Sequence, residues 1–223
     1  MALAGTPDDA SDVDVRLVEI ARLAAETLPA VSYASTTALR EDSYTTVAAT
    51  NPLAAAVDDA QYGDGAGPCL EALETGQPVS VHDVALTMRW PGFRRVARTI
   101  GLHSSLSIPL FAGSGEAVAS MNLYGHDQGA MTSLGQHVRA AFQAAPSPSP
   151  APASRKHSAG AADLAAGVAQ ALAVRDQIQR AIGMVAGRQR CSARNAYLAL
   201  RMRAAEEGVA LPDMALSTLS RLA

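Results

Sequence analysis

A segment rich in proline, serine and alanine divides this chain into two parts. Residues 146–155 read PSPSPAPASR. Proline lacks the backbone N–H that helices and sheets use, so this composition forms neither regular structure. Together with the following KHSAGAA, it predicts a linker over residues 146–162 that joins a first domain at 12–145 to a second domain at 163–223.

Several classes of protein are disfavoured by the composition. No apolar run reaches membrane-spanning length, and the acidic start MALAGTPDDASDVD lacks the basic residues of a signal peptide. Cys69 and Cys191 are the only cysteines, and they form neither a disulfide framework nor a metal-ligand pair. We therefore expect a cytoplasmic protein with reduced thiols and no membrane partner.

The charges are distributed unevenly between the two parts. Residues 1–144 carry 8 basic and 16 acidic side chains, whereas residues 163–223 carry 8 arginines and 5 acidic side chains. A basic part behind an acidic one favours a polyanion as the partner of the second part alone.

The first part alternates β-branched segments with amphipathic helices. A helix capped by Ser11 or Asp12 is predicted with the apolar face Val15, Leu17, Ile20, Leu23 and Leu28. Residues 31–40 and 43–50 predict a hairpin, and LHSSLSIPLFA and EAVASMNLYG predict a second one that turns at 113–115. A last helix is predicted from a cap at Thr132 or Ser133. This order indicates an α+β domain in which helices flank an antiparallel sheet.

No catalytic or metal-binding set is evident in the first part. Its histidines have no metal-ligand spacing, and GDGAGP lacks the ending of a phosphate-binding loop. Cys69 begins a helix, where the helix dipole would stabilise a thiolate, although we favour a buried unreactive thiol over a redox sensor. Tyr62, Trp90 and Phe93 are either ordinary core, which we favour, or line a small-molecule ligand pocket with Cys69.

The second part predicts three helices, at about 164–189, 192–207 and 212–222. Ser192 is a good N-cap and Gly208 a good C-terminal stop. Small residues, namely Ala181, Gly183, Ala193, Ala196, Ala204 and Ala215, predict close helix packing. Apolar residues also recur at heptad spacing in the first of these helices. They predict a dimer seam, which we favour over the core face of a bundle; its members are Val168, Ala171, Ile178, Ile182 and Val185.

Arginines cluster around the junction of the first two tail helices. They are Arg180, Arg188, Arg190, Arg194, Arg201 and Arg203. The guanidinium group binds phosphates as a fork and stacks on unpaired bases, so the cluster favours RNA over a merely solvated helix face. Tyr197 lies among these arginines, but Leu200 and Ala204 share its helix face, and we favour a core role for it.

Two family resemblances follow from these segments. YGDGAGPCLEALETGQPVSV, the helix at 94–100 and SIPLF…GEAVASMNLYG resemble a GAF domain over about residues 12–145. ALAVRDQIQRAIGMVAGRQRCSARNAYLALRMRAAEEGVALPDMA resembles the ANTAR domain, the RNA-binding module of bacterial antiterminators. Most ANTAR sequences have Gln-Ala-Lys-Gly where this chain has Arg180, Ala181, Ile182 and Gly183, although a subgroup shares the AIGM form.

The resemblances imply a homodimeric transcription antiterminator that is not an enzyme. The ANTAR-like domain would bind paired stem-loops in a leader RNA without a cofactor, and the GAF-like domain would sense a small-molecule ligand or hold the dimer. One alternative is a DNA-binding regulator that uses the last two helices, yet LPDMALSTLSRLA has a single arginine and no Asn or Gln for reading bases. A GAF-type sulfoxide reductase is disfavoured, because those enzymes use several cysteines within the domain.

Overall fold

The computed structural model describes residues 3–8, 11–41, 43–144 and 159–222. Most of the predicted linker, residues 146–158, lies outside these ranges. The described chain forms an α+β head, which comprises every element before the linker, and a C-terminal helical bundle.

The head contains five helices and five strands among its described residues. They are α1 (Val13–Thr27), β1 (Tyr33–Arg40), β2 (Ser43–Ala49), α2 (Pro52–Asp64), α3 (Pro68–Thr75), β3 (Val79–Val81), α4 (Pro91–Thr99), β4 (Ser104–Phe111), β5 (Ala117–Gly125) and α5 (Gln128–Gln143). Three further helices follow the linker: α6 (Ala159–Gln189), α7 (Ala193–Glu207) and α8 (Leu211–Leu222).

The strands form one antiparallel sheet in the order β2-β1-β5-β4-β3. Both predicted hairpins, β1–β2 and β4–β5, are present, so the predicted fold class is confirmed for the head. Period-two alternation gives the sheet two distinct faces. One face is apolar and packs against α1, α5 and the first half of α6, with Ile108, Met121 and Leu123 at its centre. The other face is polar and lies under α2, α3 and α4.

Helix α6 belongs to both parts of the molecule. Its first half, with Ala161 and Val168, completes the apolar core of the head. Its second half, with Ile178 and Val185, forms the bundle core with α7 and α8. The predicted helix began near Leu164, but α6 already begins at Ala159, so the last residues of the predicted linker are helical. One continuous helix therefore joins the two cores beyond the linker.

The ends of several helices follow from their capping residues. The Ser192 hydroxyl accepts a hydrogen bond from the Asn195 N–H, and Gly208 adopts the left-handed conformation that ends α7, as predicted. The predicted caps Thr132 and Ser133 are wrong. Helix α5 begins earlier because the Asp127 carboxylate accepts a hydrogen bond from the Ala130 N–H at 2.9 Å.

Some packing predictions are wrong as well. Val15 and Leu23 are exposed, at 69% and 42%, because α1 turns Val13, Leu17 and Ala24 toward the sheet instead. Gly183 lies on the outer face of α6 with no atom near the position of a Cβ, so it does not mark a close helix approach. Ala193 is also exposed, since it is the first residue of α7.

Candidate functional site

The predicted RNA-binding arginines lie on the surface of the bundle, but not on a single face. Arg188, Arg190 and Arg194 surround the turn between α6 and α7, and all three are exposed. We call these three the junction arginines. Arg180 lies two turns before the end of α6, on the side turned away from α7 and α8. Arg203 follows Arg194 by nine residues, or about two and a half helical turns, which places it on the opposite side of α7. Arg201 lies about two turns after Arg194 on the same side of α7, so only three of the six candidates surround the turn itself.

Arg190 has a backbone conformation that favours glycine. Its φ is 52°, and it follows the last residue of α6. The next residue, Cys191, donates its N–H to the Ala186 carbonyl at 3.2 Å, which completes a helix-ending motif that usually has glycine at the position of Arg190. A left-handed conformation costs a residue with a Cβ about 1–2 kcal/mol. The arginine therefore occupies a position where helix termination alone would select glycine.

Tyr197 is a core residue, as favoured from the sequence, with one polar contact. The side chain is buried in the bundle core, and the Arg201 guanidinium lies 5.7 Å from its ring centroid. Its hydroxyl donates to the Asp8 carboxylate at 3.3 Å. Burial, and next the charge of Asp8, raise the pKa of Tyr197 to about 12, so the hydroxyl keeps its proton near neutrality.

The predicted dimer seam is instead the core face of one chain. Ile178, Ile182 and Val185 are at most 5% exposed and pack against α7 and α8. Val168 is buried against the head, and Ala171 lines a small apolar gap beside it. The structure therefore matches the alternative interpretation of the heptad spacing, because α7, α8 and the sheet already cover these side chains.

The residues predicted to line a ligand pocket lie under the polar face of the sheet, but they are packed. Trp90 and Phe93 meet edge to face, with ring centroids 6.4 Å apart, within the core between α2 and α4. A cavity of about 10 Å³ lies away from these aromatics, on the apolar face between β4 and α6, and it has room for about one water molecule. Core packing, which we favoured from the sequence, is what the structure shows for these two aromatics.

A buried polar cluster lies beside them and includes Tyr62, one of the predicted pocket residues. Its centre is the Asp58 carboxylate, which is fully buried and accepts hydrogen bonds from the Tyr124 hydroxyl at 2.5 Å, Thr46 at 3.0 Å and Asn122 at 3.3 Å. The Tyr62 hydroxyl shares hydrogen bonds of 2.8 Å with both Thr46 and Thr37. The cluster therefore connects α2 to three strands through polar side chains.

Burial controls the protonation of this cluster. It raises the pKa of Asp58 from 3.8 to about 6, although the hydrogen bonds from Tyr124, Ser35 and Thr46 oppose the shift. Burial likewise raises the pKa values of Tyr62, Cys69 and Tyr124. Asp58 is thus the member of this group whose charge changes closest to neutral pH.

Cys69 fits an unreactive thiol better than a redox sensor. The side chain is fully buried, and burial followed by the charge of Asp58 raises the pKa of the thiol. The raised pKa is the opposite of what the helix dipole alone would produce, since a dipole at a helix start stabilises the thiolate and lowers the pKa. A reactive cysteine requires a lowered pKa and access to solvent, and the structure gives Cys69 neither.

The sequence does contain a signal for the polar cluster. In each of three strands, two hydroxyl or amide side chains lie two positions apart on the same face of the sheet, and all of them are buried. They are Ser35 and Thr37, Ser105 and Ser107, and Ser120 and Asn122. Such alternation is usually read as a solvent-facing side of a sheet, and only the helices packed over it show that it is internal.

Two further functions have no support in the described parts of the chain. Across residues 3–8, 11–41, 43–144 and 159–222, no helix is both long and apolar enough to cross a membrane. Within the same ranges, no three His, Cys, Asp or Glu side chains come together as a metal-ligand set would.

Comparison with known proteins agrees with the two-part architecture. Residues 10–146 match the GAF domain family, and residues 166–217 match the ANTAR domain family. No curated protein matches the chain. A domain assigned to a two-component sensor histidine kinase protein of Sinorhizobium meliloti 1021 shares 14% identity at a TM-score of 0.45, over 82% of this chain and 100% of that chain. A type II free methionine-R-sulfoxide reductase from Thermoplasma acidophilum shares 12% identity at a TM-score of 0.43, over 71% of this chain and 91% of that chain.

The two matched regions coincide with the parts that the structure separates. The GAF match covers the sheet and helices α1 to α5, and the ANTAR match covers most of the three helices of the bundle. The chain therefore belongs to the GAF domain family and carries an ANTAR domain behind its GAF domain.

Proposed function

We propose that the protein regulates transcription by antitermination, through binding of its bundle to stem-loop RNA. A regulator with a sensor domain is the role that the two families share with this chain. RNA is the partner that ANTAR domains bind, and in this proposal paired stem-loops in a leader transcript are held by a homodimer. The protein acts by binding and has no catalytic role, in keeping with the buried thiol of Cys69.

The exposed junction arginines are the observation that carries this proposal. Three guanidinium groups lie within seven residues of chain around one turn, and one of them, Arg190, occupies a strained position. Backbone strain of this kind is typically retained at functional sites. The head has a net negative charge and would repel a polyanion, so RNA is directed to the bundle.

Competition between RNA and duplex DNA tests the proposal. We expect the 223-residue chain to bind a pool of tandem stem-loop RNAs with randomised loops in gel-shift assays, and we expect duplex DNA to displace this RNA only weakly. Helix α8 would be the recognition helix of a DNA-binding protein. It exposes Asp213 and Leu216, and Arg221 is its one basic residue. Equal or tighter binding to duplex DNA would therefore favour that alternative and contradict antitermination.

Replacement of Arg190 by glycine separates fold stability from RNA binding. Since glycine adopts a positive φ without strain, R190G is expected to raise the free energy of unfolding by about 1 kcal/mol. The same change removes a guanidinium group, so it is expected to weaken RNA binding about tenfold. Denaturant unfolding and gel-shift titration measure the two effects.

Glu41 offers a matched control for this substitution. It is the other non-glycine residue with a positive φ in the described chain, 46°, and it lies in the exposed turn between β1 and β2. E41G is expected to gain stability in the same way and to leave RNA affinity unchanged. Unchanged RNA affinity in R190G would show that Arg190 is not part of the RNA-binding surface.

The head has a signalling role in this proposal. The side chains of the Asp58 cluster are buried and hydrogen-bonded to one another, so a small-molecule ligand would have to open these contacts to reach the carboxylate. Because α6 packs into both the core of the head and the core of the bundle, a change in the head core can reach the bundle through a single helix. The linker itself need not transmit the signal.

A further inference from the structure

The head touches the bundle through a compact set of polar contacts outside the α6 core. On the head, these contacts come from Asp8 and from the turn of the β4–β5 hairpin at residues 113–115. On the bundle, they come from Arg175, Gln179 and Tyr197. We call this set of residues the latch.

Each of the three bundle residues donates a hydrogen bond to an acceptor on the head. The Arg175 Nε donates to the Gly115 carbonyl at 2.8 Å. The Gln179 amide donates to the carbonyl of Ser114, and the Tyr197 hydroxyl donates to the Asp8 carboxylate. Asp8 in turn accepts a hydrogen bond from the Ser114 N–H at 2.9 Å, which joins the two head segments.

The hairpin also packs against the bundle without spare room. A Cβ at Gly113 would lie 2.7 Å from a methyl carbon of Leu211, and a Cβ at Gly115 would collide with the Gln179 amide. Gly115 has a φ of 86°, which a residue with a side chain rarely adopts. The hairpin turn is therefore fitted to this contact both in shape and in hydrogen bonding.

The groups that the head offers resemble those of an unpaired RNA loop. The ring of Phe111 lies under the Arg175 guanidinium, with 4.2 Å between the Arg175 Cζ and the ring centroid. The head also supplies two carbonyl oxygens and one carboxylate, which accept the three hydrogen bonds from the bundle. Aromatic faces, oxygen acceptors and negative charge are the features by which single-stranded RNA loops are recognised.

We infer that the latch is an autoinhibitory contact, in which the head occupies a second part of the RNA surface of the bundle. Arg175 and Gln179 bind the head in the closed state and bind RNA after the head is released, while the core residue Tyr197 gives up only the hydrogen bond of its hydroxyl to Asp8. The junction arginines remain exposed in both states, so the closed protein still makes a first, weaker contact with RNA. This inference rests on the proposed function and adds the regulation of its RNA surface.

A reversible cross-link tests the closed state directly. The Cγ of Gln179 marks the position that the sulfur of a cysteine at 179 would take. A Cβ at residue 115 would lie 3.2 Å from this position, a distance that a disulfide can bridge. We would prepare the full chain with G115C and Q179C, together with C191S to remove the other accessible thiol. Oxidation with oxidised glutathione closes the bond, and a reducing agent opens it again.

The latch predicts that the oxidised protein binds stem-loop RNA more weakly than the same protein after reduction. Coupling between sites is typically worth about 5- to 150-fold in affinity, so a difference of about tenfold or more is expected. Because coupling between equilibria is reciprocal, stem-loop RNA should also lower the equilibrium fraction of the disulfide in a glutathione redox buffer, with a similar change in the equilibrium constant. Equal RNA affinity of the oxidised and reduced forms would overturn the latch, as would failure of the disulfide to form.

A substitution in the head provides a second test that leaves every RNA contact intact. A Cβ at residue 115 would overlap the Gln179 amide, and alanine rarely adopts the φ of this position, so G115A is expected to break the contact between Gln179 and Ser114 and to raise the RNA affinity of the full chain about fivefold or more. The control is G101A, since Gly101 also has a positive φ, 75°, but has open space around it. If both variants bind RNA like the unsubstituted chain, the latch is wrong. If no form binds RNA, the unsubstituted chain included, the proposed function fails together with the latch.

Discussion

Replacement of Arg188, Arg190 and Arg194 by glutamine is expected to lower the affinity for stem-loop RNA by a factor on the order of 100 to 1,000. Each guanidinium group that contacts a phosphate releases counterions on binding. The dependence of the logarithm of affinity on the logarithm of salt concentration should therefore become shallower by about 2, or about 0.7 for each lost contact to a single strand. Gel-shift titrations at several salt concentrations measure both quantities.

The head supplies a control with the same loss of charge. Arg95, Arg98 and Arg139 are exposed arginines far from the bundle in the sequence, and their replacement by glutamine changes the net charge of the chain equally. This control variant is expected to keep both the affinity and the salt dependence. Similar losses of RNA affinity in the two variants would mean that RNA binding depends on the overall charge of the chain and not on the junction arginines.

The second large effect concerns the buried carboxylate of Asp58. The free energy of unfolding is expected to fall by about 3 kcal/mol as the pH rises from about 3 to 7, relative to the variant D58N. Burial shifts the pKa of Asp58 upward by about two units, from 3.8 to about 6, and each unit corresponds to about 1.4 kcal/mol.

Stability falls with rising pH because the folded state holds the Asp58 proton more tightly than the unfolded state does. Below the ordinary pKa both the folded and the unfolded chain are protonated at Asp58, and the folded state has its full stability. Between 3.8 and about 6 the unfolded chain has lost the proton while the folded chain keeps it, so a rising pH favours unfolding. Above the folded pKa the carboxylate is charged and buried, and the loss of stability is complete.

Urea unfolding of the unsubstituted chain and of D58N across this pH range measures the effect. D59N serves as the control, because Asp59 is the next residue in α2 and its side chain is exposed. Its stability should follow that of the unsubstituted chain at every pH. Parallel pH profiles for D58N and the unsubstituted chain would show that the cluster does not penalise the charge of Asp58.

Local patterns predicted most of the secondary structure. The caps at Ser192 and Gly208, the turn at 113–115 and the alternation in β4 and β5 are decided by residues close in sequence, and all appear in the structure. The failures come from competition between neighbouring signals. Asp127 caps α5 ahead of Thr132, and Val13 takes the place of Val15 in the core, because a helix face is chosen by what packs against it.

The candidate sites were predicted less completely. Sequence spacing identified the arginines, and the structure shows which three of them surround one turn. The heptad spacing correctly showed that Ile178, Ile182 and Val185 share a face, but spacing cannot say whether that face meets a second chain or α7 and α8. The polar cluster under the sheet and the contacts of Arg175 join residues that lie far apart in the chain, and no local pattern contains such pairs.

The sequence by itself determined the two-domain order, the antiparallel α+β head, the helical tail and the concentration of arginine at the α6–α7 junction. These properties depend on backbone preferences, periodicity and charge, which act over a few residues. Only the tertiary structure decided that α6 belongs to both cores, that Asp58 is buried among hydroxyl groups, and that the hairpin at 113–115 covers Arg175 and Gln179. Each of these depends on which surfaces the folded chain brings together, and that choice is made by packing over the whole molecule.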